Sequence, residues 1–179
     1  MSEVIDNLAR DCARGRGGIL SITPIPCDGI KFTILENNIT VVTQTKVAKT
    51  ITLDINSGKA MSTQEGERAT FNSIYKEQVE FTVKNDELLT DRVIASLTGG
   101  LHIYAVSYAN GKNKVFGAGG HEDSVGDIIP VGMFANAVSD SGTEGTDLNG
   151  TVVTATSESG TIPPHLSNVL LQAIKDFTV

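Results

Sequence analysis

Few residues in this sequence have the type and spacing to carry chemistry. His121, Glu122 and Asp123 are consecutive, Asp127 follows four residues later, and His102 lies in an apolar stretch. Imidazole and carboxylate groups of this kind could bind a metal ion or act as general acid and base. Adjacent side chains diverge in a strand or loop, however, and His-Glu-Asp lacks the HExxH spacing of zinc proteases. We therefore predict no catalytic or metal-binding residue here.

The other candidate sites are weaker. Asp140, Glu144 and Asp147 lie in an acidic segment that lacks the residue order and closing glutamate of an EF-hand loop. Cys12 and Cys27 show neither CxxC spacing nor a zinc-like Cys/His pattern, so we expect free thiols. No serine lies in a GxSxG motif with a plausible triad. The sequence thus predicts a protein that is not an enzyme and has no cofactor.

Composition limits the partners of the chain. It has 179 residues, 21 of them acidic and 14 basic, and a net charge of −7. Such a surface repels nucleic acids and anionic membranes. The one basic cluster, Arg14–Gly18, has no phosphate-loop spacing, and no apolar run is long enough to span a bilayer. We expect one domain, residues 1–179, with no specific DNA binding and no membrane anchor.

The middle of the chain shows the clearest secondary-structure pattern. From Ala69 to Lys84 the apolar side chains fall mainly on alternate positions, as in a strand with one buried face. Over Glu87–Leu97 the apolar spacing becomes helical, and Gly99-Gly100 ends the helix. Leu101–Tyr108 is apolar on both faces, and a two-residue turn at Asn110-Gly111 follows. We predict a strand, a packed helix and a hairpin.

Shorter strands are predicted on both sides of this segment. Gly18–Cys27 contains two prolines, which favour a sheet edge. Ile30–Leu35 and Ile39–Thr43 are short apolar runs around a polar turn and predict a hairpin. Lys46–Ile55 alternates again, and we predict that it pairs with the long strand. Thr151–Thr156 returns to strand character after a long Gly-, Ser- and Asp-rich excursion.

Short helices are predicted at both ends of the chain. Residues 1–17 hold an amphipathic segment that Arg and Gly residues end. In residues 166–179 apolar side chains repeat at helical spacing, with Ser167 as a possible N-cap. The predicted fold is therefore mainly β, with one packed helix in the middle and short N- and C-terminal helices.

The segment Asn56–Arg68 is polar, contains glycine and has almost no apolar anchors. Hairpin loops usually have two to five residues, so a connection of this length needs a reason. Two interpretations stay open at this point. The segment is either a mobile surface loop or an arm that becomes ordered against a neighbouring subunit.

The order of several motifs resembles a known family. Arg10–Cys12 and Gly17–Ile19 precede short Ile-rich strands, a KExxxFT-like strand covers Lys76–Thr82, and LHIYAVSYANGK follows the helix. Asp147–Leu166 has an acidic residue and Asn-Gly before a Thr-rich strand, then a polar loop and proline. Together these features resemble the tail-tube-like structural proteins of phages that infect Bacteroidetes.

This resemblance implies a β-sandwich or partly open barrel that assembles into stacked hexameric rings around a channel for DNA. It implies the virion as the location, after assembly in the bacterial host cytoplasm, and as partners further copies of the chain and other tail or head-completion proteins. The tip of the Asn56–Arg68 hairpin would then project toward the next ring. The candidate inter-ring residues are Asn56, Ser57, Gly58, Lys59, Gln64, Glu65, Glu67 and Arg68.

Other functions stay open at the level of sequence. A virion subunit could instead decorate the capsid or complete the head-tail junction. A monomeric β-sandwich that binds a carbohydrate or protein ligand is a second alternative, although the chain has no Trp and only three Tyr for stacking contacts. An enzyme would require residues that are distant in sequence, such as His102 and His121, to meet in one cluster.

Overall fold

The computed structural model describes residues 18–53, 57–67, 72–84, 88–140 and 150–178. These residues form two β-sheets and two short helices, and the described part of the chain contains no closed barrel. The prediction of a mainly β fold is confirmed. The predicted N-terminal helix in residues 1–17 lies outside the described residues.

Thirteen strands and two α-helices follow one another along the described chain. The strands are β1 Ile19–Pro26, β2 Ile30–Leu35, β3 Asn38–Gln44, β4 Ile51–Thr52, β5 Gly58–Glu67, β6 Asn72–Lys84, β7 His102–Tyr108, β8 Asn113–Phe116, β9 Gly120–Glu122, β10 Ile128–Pro130, β11 Phe134–Asp140, β12 Gly150–Ser159 and β13 His165–Leu166. The helices are α1 Leu88–Thr98 and α2 Asn168–Asp176, and Cys27–Gly29 forms a 3-10 turn.

The strands are divided between a large and a small sheet. The large sheet has nine strands in the order β4-β1-β7-β8-β13-β3-β2-β10-β9. The small sheet has four strands in the order β11-β12-β6-β5, and all of its neighbours are antiparallel. In the large sheet, β13 and β3 pair in parallel, while its other described pairs are antiparallel.

Strand β7 is buried on both faces and separates two hydrophobic cores. Tyr104 and Val106 lie in the core that also contains side chains of the small sheet, such as Phe81. Ile103 and Ala105 point into the second core, which β1, β2, β3 and α2 complete. The prediction that Leu101–Tyr108 is apolar on both faces is therefore explained by its central place in the large sheet.

The two helices lie close to their predicted positions. Helix α1, Leu88–Thr98 as described, overlaps the predicted helix Glu87–Leu97, and its Leu97 is buried in the first core. Helix α2 is capped by Ser167, whose hydroxyl accepts the backbone N–H of Leu170 at 3.2 Å. Its buried residues, Leu171 and Ile174, belong to the second core. Residues 165–166, at the predicted start of this helix, form β13 instead.

Both predicted hairpins are present. Strands β2 and β3 pair through a turn in which Glu36 and Asn37 have positive φ angles of 48° and 60°. Strands β7 and β8 pair around Gly111, which has a φ of 78°. This second turn is longer than the predicted two-residue type, because the N–H of Tyr108 bonds to Lys112 O and the N–H of Gly111 bonds to Tyr108 O.

The predicted pairing of Lys46–Ile55 with the long strand is wrong. Among the described residues of this segment, 46–53, Ile51–Thr52 is the one strand, and it pairs with β1. The long strand β6 instead pairs with β5 on one side and β12 on the other. Val47 is 45% exposed and Ala48 is buried in the second core, so the alternation in the sequence does not mark a buried strand face here.

The prediction that Asn56–Arg68 is a loop is also wrong over its described part. Gly58–Glu67 forms β5, which pairs residue by residue with β6 from Gly58 opposite Phe81 to Glu67 opposite Asn72. The strand lies at the edge of the small sheet, so little of it is buried and few apolar side chains are needed. Asn56 and Arg68 lie outside the described residues.

Candidate assembly interface

The His121-Glu122-Asp123 cluster has a structural role. His121 and Glu122 are exposed on the short strand β9. Asp123 forms an ion pair with Lys31 at 2.8 Å and accepts the backbone N–H groups of Val125 and Asp127. The hydrogen bond from Lys31, followed by those backbone bonds, lowers the pKa of Asp123 to about 2. No group of three or more His, Cys, Asp or Glu side chains that could hold a metal occurs among the described residues.

The histidine and the cysteine near the start of β7 are not poised for catalysis. His102 is buried, its Nδ1 lies 3.2 Å from Gly100 O, and burial lowers its pKa. Burial, and then the charge of Asp28, raises the pKa of the Cys27 thiol to about 12. A thiol with so high a pKa is almost entirely protonated near neutrality and is a poor nucleophile.

The sequence analysis missed one buried acid, Glu77 on β6. Its side chain is 2% exposed, and its carboxylate accepts the N–H of Gly117 at 2.6 Å. Burial raises the pKa of Glu77 to about 7, although the bonds from Gly117 and Ser157 oppose the shift. The signal was present in the sequence, because position 77 falls on the same alternation as the buried Val79 and Phe81.

The small sheet ends in two long edge strands. Strand β5 has ten residues and β11 has seven, and no other described strand pairs with their outer sides. The large sheet ends instead in β4 and β9, which have two and three residues. Short edge strands limit pairing between molecules, whereas long and proline-free edges favour it. The small sheet is therefore the better candidate for pairing with another chain.

The hydrogen-bond pattern identifies the backbone groups at these edges. The N–H of Thr82 bonds to Ser57 O at 2.9 Å, so the even-numbered residues of β6 direct their backbone groups toward β5. Antiparallel ladders alternate these directions along each strand. The register then places the N–H and C=O groups of Ala60 and Ser62 on the outer side of β5. Ala135 and Ala137 present theirs on the outer side of β11.

Met133, which directly precedes β11, supports the outward direction of the Ala135 and Ala137 backbone groups. Met133 is odd-numbered like Ala135, so the backbone groups of both residues point to the side of the chain that faces away from β12. Those of Met133 bond to the backbone of His102. Its N–H bonds to His102 O at 2.8 Å, and its carbonyl accepts the His102 N–H at 3.3 Å. Backbone groups on this side of the strand can therefore reach a neighbouring strand.

Exposed apolar side chains lie beside both open edges. The side chains of Phe134 and Val138 on β11 are 71% and 67% exposed, and Met61 on β5 is 37% exposed. All three point to the face of the small sheet that is turned away from the core, because they pair with outward-facing positions of β12 and β6. The central part of this outer face is rich in threonine, with Thr63, Thr82, Thr154 and Thr156.

Comparisons with protein-family models, curated proteins and solved structures find no match for this chain. Among the described residues, no helix is long and apolar enough to cross a membrane.

Proposed function

We propose that the chain is a phage virion structural protein, a tail tube subunit whose copies join through the edges of the small sheet. The main support is that the four-stranded sheet ends in two long strands whose outer sides pair with no strand of the described residues. Pairing β11 of one copy with β5 of the next would give both edges hydrogen-bond partners. The sequence resemblance supplies the expectation of rings stacked into a tube.

The number of strands in the small sheet suits a ring. Its four strands alternate in direction, so the two edge strands β11 and β5 run in opposite directions. Copies related by rotation about one axis therefore bring β11 beside an antiparallel β5. Such a head-to-tail contact uses two different surfaces and closes when the rotation completes a circle. The ring would then contain one continuous antiparallel sheet.

The exposed apolar side chains fit the same contact. Phe134 and Val138 lie at one edge of the outer face, and Met61 lies at the other. Edge pairing would place them across the junction, where apolar cross-strand pairs stabilise a sheet. The monomer exposes these side chains, and the assembled form would cover them.

The outer face of the small sheet is suited to a channel through which DNA slides. Its described acids outnumber its bases: Lys76 pairs with Glu65 at 2.8 Å, Lys59 lies opposite Glu80, and Glu158 also points outward. Threonines occupy much of the remainder. Each phosphate contact with a basic residue would add a salt-dependent attraction. Because the large sheet covers the other face, this face is the one that we propose for the lumen.

We propose that those predicted inter-ring residues that lie on β5 belong instead to the contact within a ring. Gly58, Lys59, Gln64 and Glu65 all lie on β5. Deleting Asn56–Arg68 would remove an entire paired strand, so it would not test ring stacking separately from folding. A substitution that affects only the outer edge is the sharper experiment.

Replacing Ser62 by proline tests the edge contact. The N–H of Ser62 is directed away from β6, so Ser62→Pro removes a donor that the small sheet does not use. We expect the monomer to keep its circular dichroism spectrum and thermal midpoint, while the variant no longer forms rings or tubes in negative-stain images.

The matched control is Ser62→Ala, which removes the hydroxyl but keeps the N–H. It should assemble like the unchanged protein. If both variants assemble normally, the β5 edge is not the contact. An unchanged protein that stays monomeric would favour the alternative of a ligand-binding β-sandwich.

A further inference from the structure

The buried acid Glu77 connects the two sheets. It lies on β6 of the small sheet, and its carboxylate accepts the N–H of Gly117, which directly follows β8 of the large sheet. The donor–acceptor distance is 2.6 Å, and the side chain is 2% exposed. The bond therefore spans the interior between the sheets.

The groups around Glu77 do not balance a negative charge. On β12, the hydroxyl of Ser157 lies 3.5 Å from the carboxylate, and Ser62 lies opposite Glu77 on β5. None of the described ion pairs includes Glu77. Burying an ionised carboxylate without a cation costs much more free energy than burying the neutral acid.

None of the titratable groups described around Glu77 forms an ion pair with it. Tyr75 shares the inner face of β6 with Glu77, while the neighbouring Lys76 points to the outer face, where it pairs with Glu65. Glu158 of β12 is opposite Lys76 and also points outward. On β8, Lys114 lies opposite Val106, on the face turned toward the small sheet. These residues do not form an ion pair with Glu77.

We propose that Glu77 is a proton-controlled link between the two sheets, whose net contribution to stability is largest when its carboxyl group is neutral. Ionisation places an uncompensated charge in the interior and weakens the packing of the small sheet on the large one. The fold then responds to pH through one residue that lies between its layers. This inference does not depend on whether copies assemble.

The direction of the pH effect follows from the shifted pKa. Burial raises the pKa of Glu77 from 4.5 to about 7, so between these values the folded chain binds more protons than the unfolded chain. The contribution of Glu77 to stability is complete below about pH 4.5 and is lost as the pH rises through about 7. His102, whose pKa burial lowers, has the opposite effect. The test therefore compares each variant with the unchanged protein at the same pH, so that the contribution of His102 cancels.

The variant Glu77→Gln replaces the acid by a neutral group of the same shape. The midpoint of thermal unfolding should be measured at pH 5.5 and pH 8.5, at concentrations where the protein is monomeric. We expect the midpoint of the variant to gain about 5 °C relative to the unchanged protein between the two pH values. The control Glu80→Gln removes the same charge from the outer face of β6 and should leave the pH dependence unchanged.

An equal pH dependence in Glu77→Gln and in the unchanged protein would overturn the proposal. A second measurement covers the case in which the variant does not fold. Carbon-13 NMR of the Glu77 carboxyl group in the unchanged protein should show a titration midpoint near 7. A midpoint below 5 would also overturn the proposal.

Discussion

At the scale of single residues, glycines with positive φ define where the chain can turn tightly. Gly132 has a φ of 81° between β10 and β11, and a Cβ atom there would lie 2.2 Å from Cys27 Sγ. Gly126 has a similar φ of 92° in the turn between β9 and β10, but no atom lies within 4 Å of its Cβ position. An alanine at Gly126 would therefore meet backbone strain alone, whereas an alanine at Gly132 would meet both backbone strain and a steric clash with Cys27.

We expect Gly132→Ala to destabilise the fold more than Gly126→Ala. Both alanines adopt a left-handed backbone at a cost of about 1 kcal/mol. Only Gly132→Ala also displaces Cys27, and overpacking of this kind adds roughly 1–3 kcal/mol. Urea unfolding of both variants measures the difference. Equal losses of stability would show that the space around Gly132 adapts without cost.

At the scale of secondary-structure elements, the sequence predicted those with a strong apolar period. The strands β6 and β7 follow from apolar spacing because they bury one and two faces, and the period of helix α1 is marked by Leu97, which is buried. The hairpin of β2 and β3 follows from its polar turn. The spacing of apolar residues is enough to predict an element when that element buries much of its own surface.

Edge strands were harder to predict, for a physical reason. Strand β5 buries little surface, so its sequence has no apolar alternation, and its backbone bonds to β6 define it instead. Pairing through backbone groups depends on the neighbouring strand, so the amino-acid composition of β5 does not reveal it. For the same reason, the sequence did not predict that β5 and β11 form the edges of the small sheet. Glu77, by contrast, could be predicted from its place in the alternation of β6.

The edge of β11 offers a test at this scale. Val138 is 67% exposed beside the open edge, and a lysine there places a charge where an added strand would pack. We expect Val138→Lys to leave the unfolding free energy within about 0.5 kcal/mol of the original value. The protein concentration needed for assembly should rise about tenfold, which corresponds to about 1.4 kcal/mol.

The control Val125→Lys distinguishes an effect at the β11 edge from a general effect of added charge. Val125 is 83% exposed in the turn between β9 and β10, at the edge of the large sheet. Val125→Lys adds the same charge away from the small sheet and should not change assembly, as followed by light scattering. If both lysine variants raise the concentration equally, net charge rather than the β11 edge controls association.

At the scale of the whole molecule, the two sheets differ in how they end. The large sheet has short edge strands and carries most of the two cores, whereas the small sheet has long edges on both sides. We infer a division of roles, in which the large sheet stabilises the subunit and the small sheet joins it to its neighbours. The net charge of −7 would also limit attraction to DNA inside the proposed channel.

The most direct test of this account is sedimentation velocity of the unchanged protein at increasing concentration, with negative-stain imaging of the heaviest fractions. The account predicts fast-sedimenting species that appear as rings or hollow tubes. A folded monomer at every concentration, with no ring in any fraction, would contradict the proposal that the open edges of the small sheet join copies of this chain.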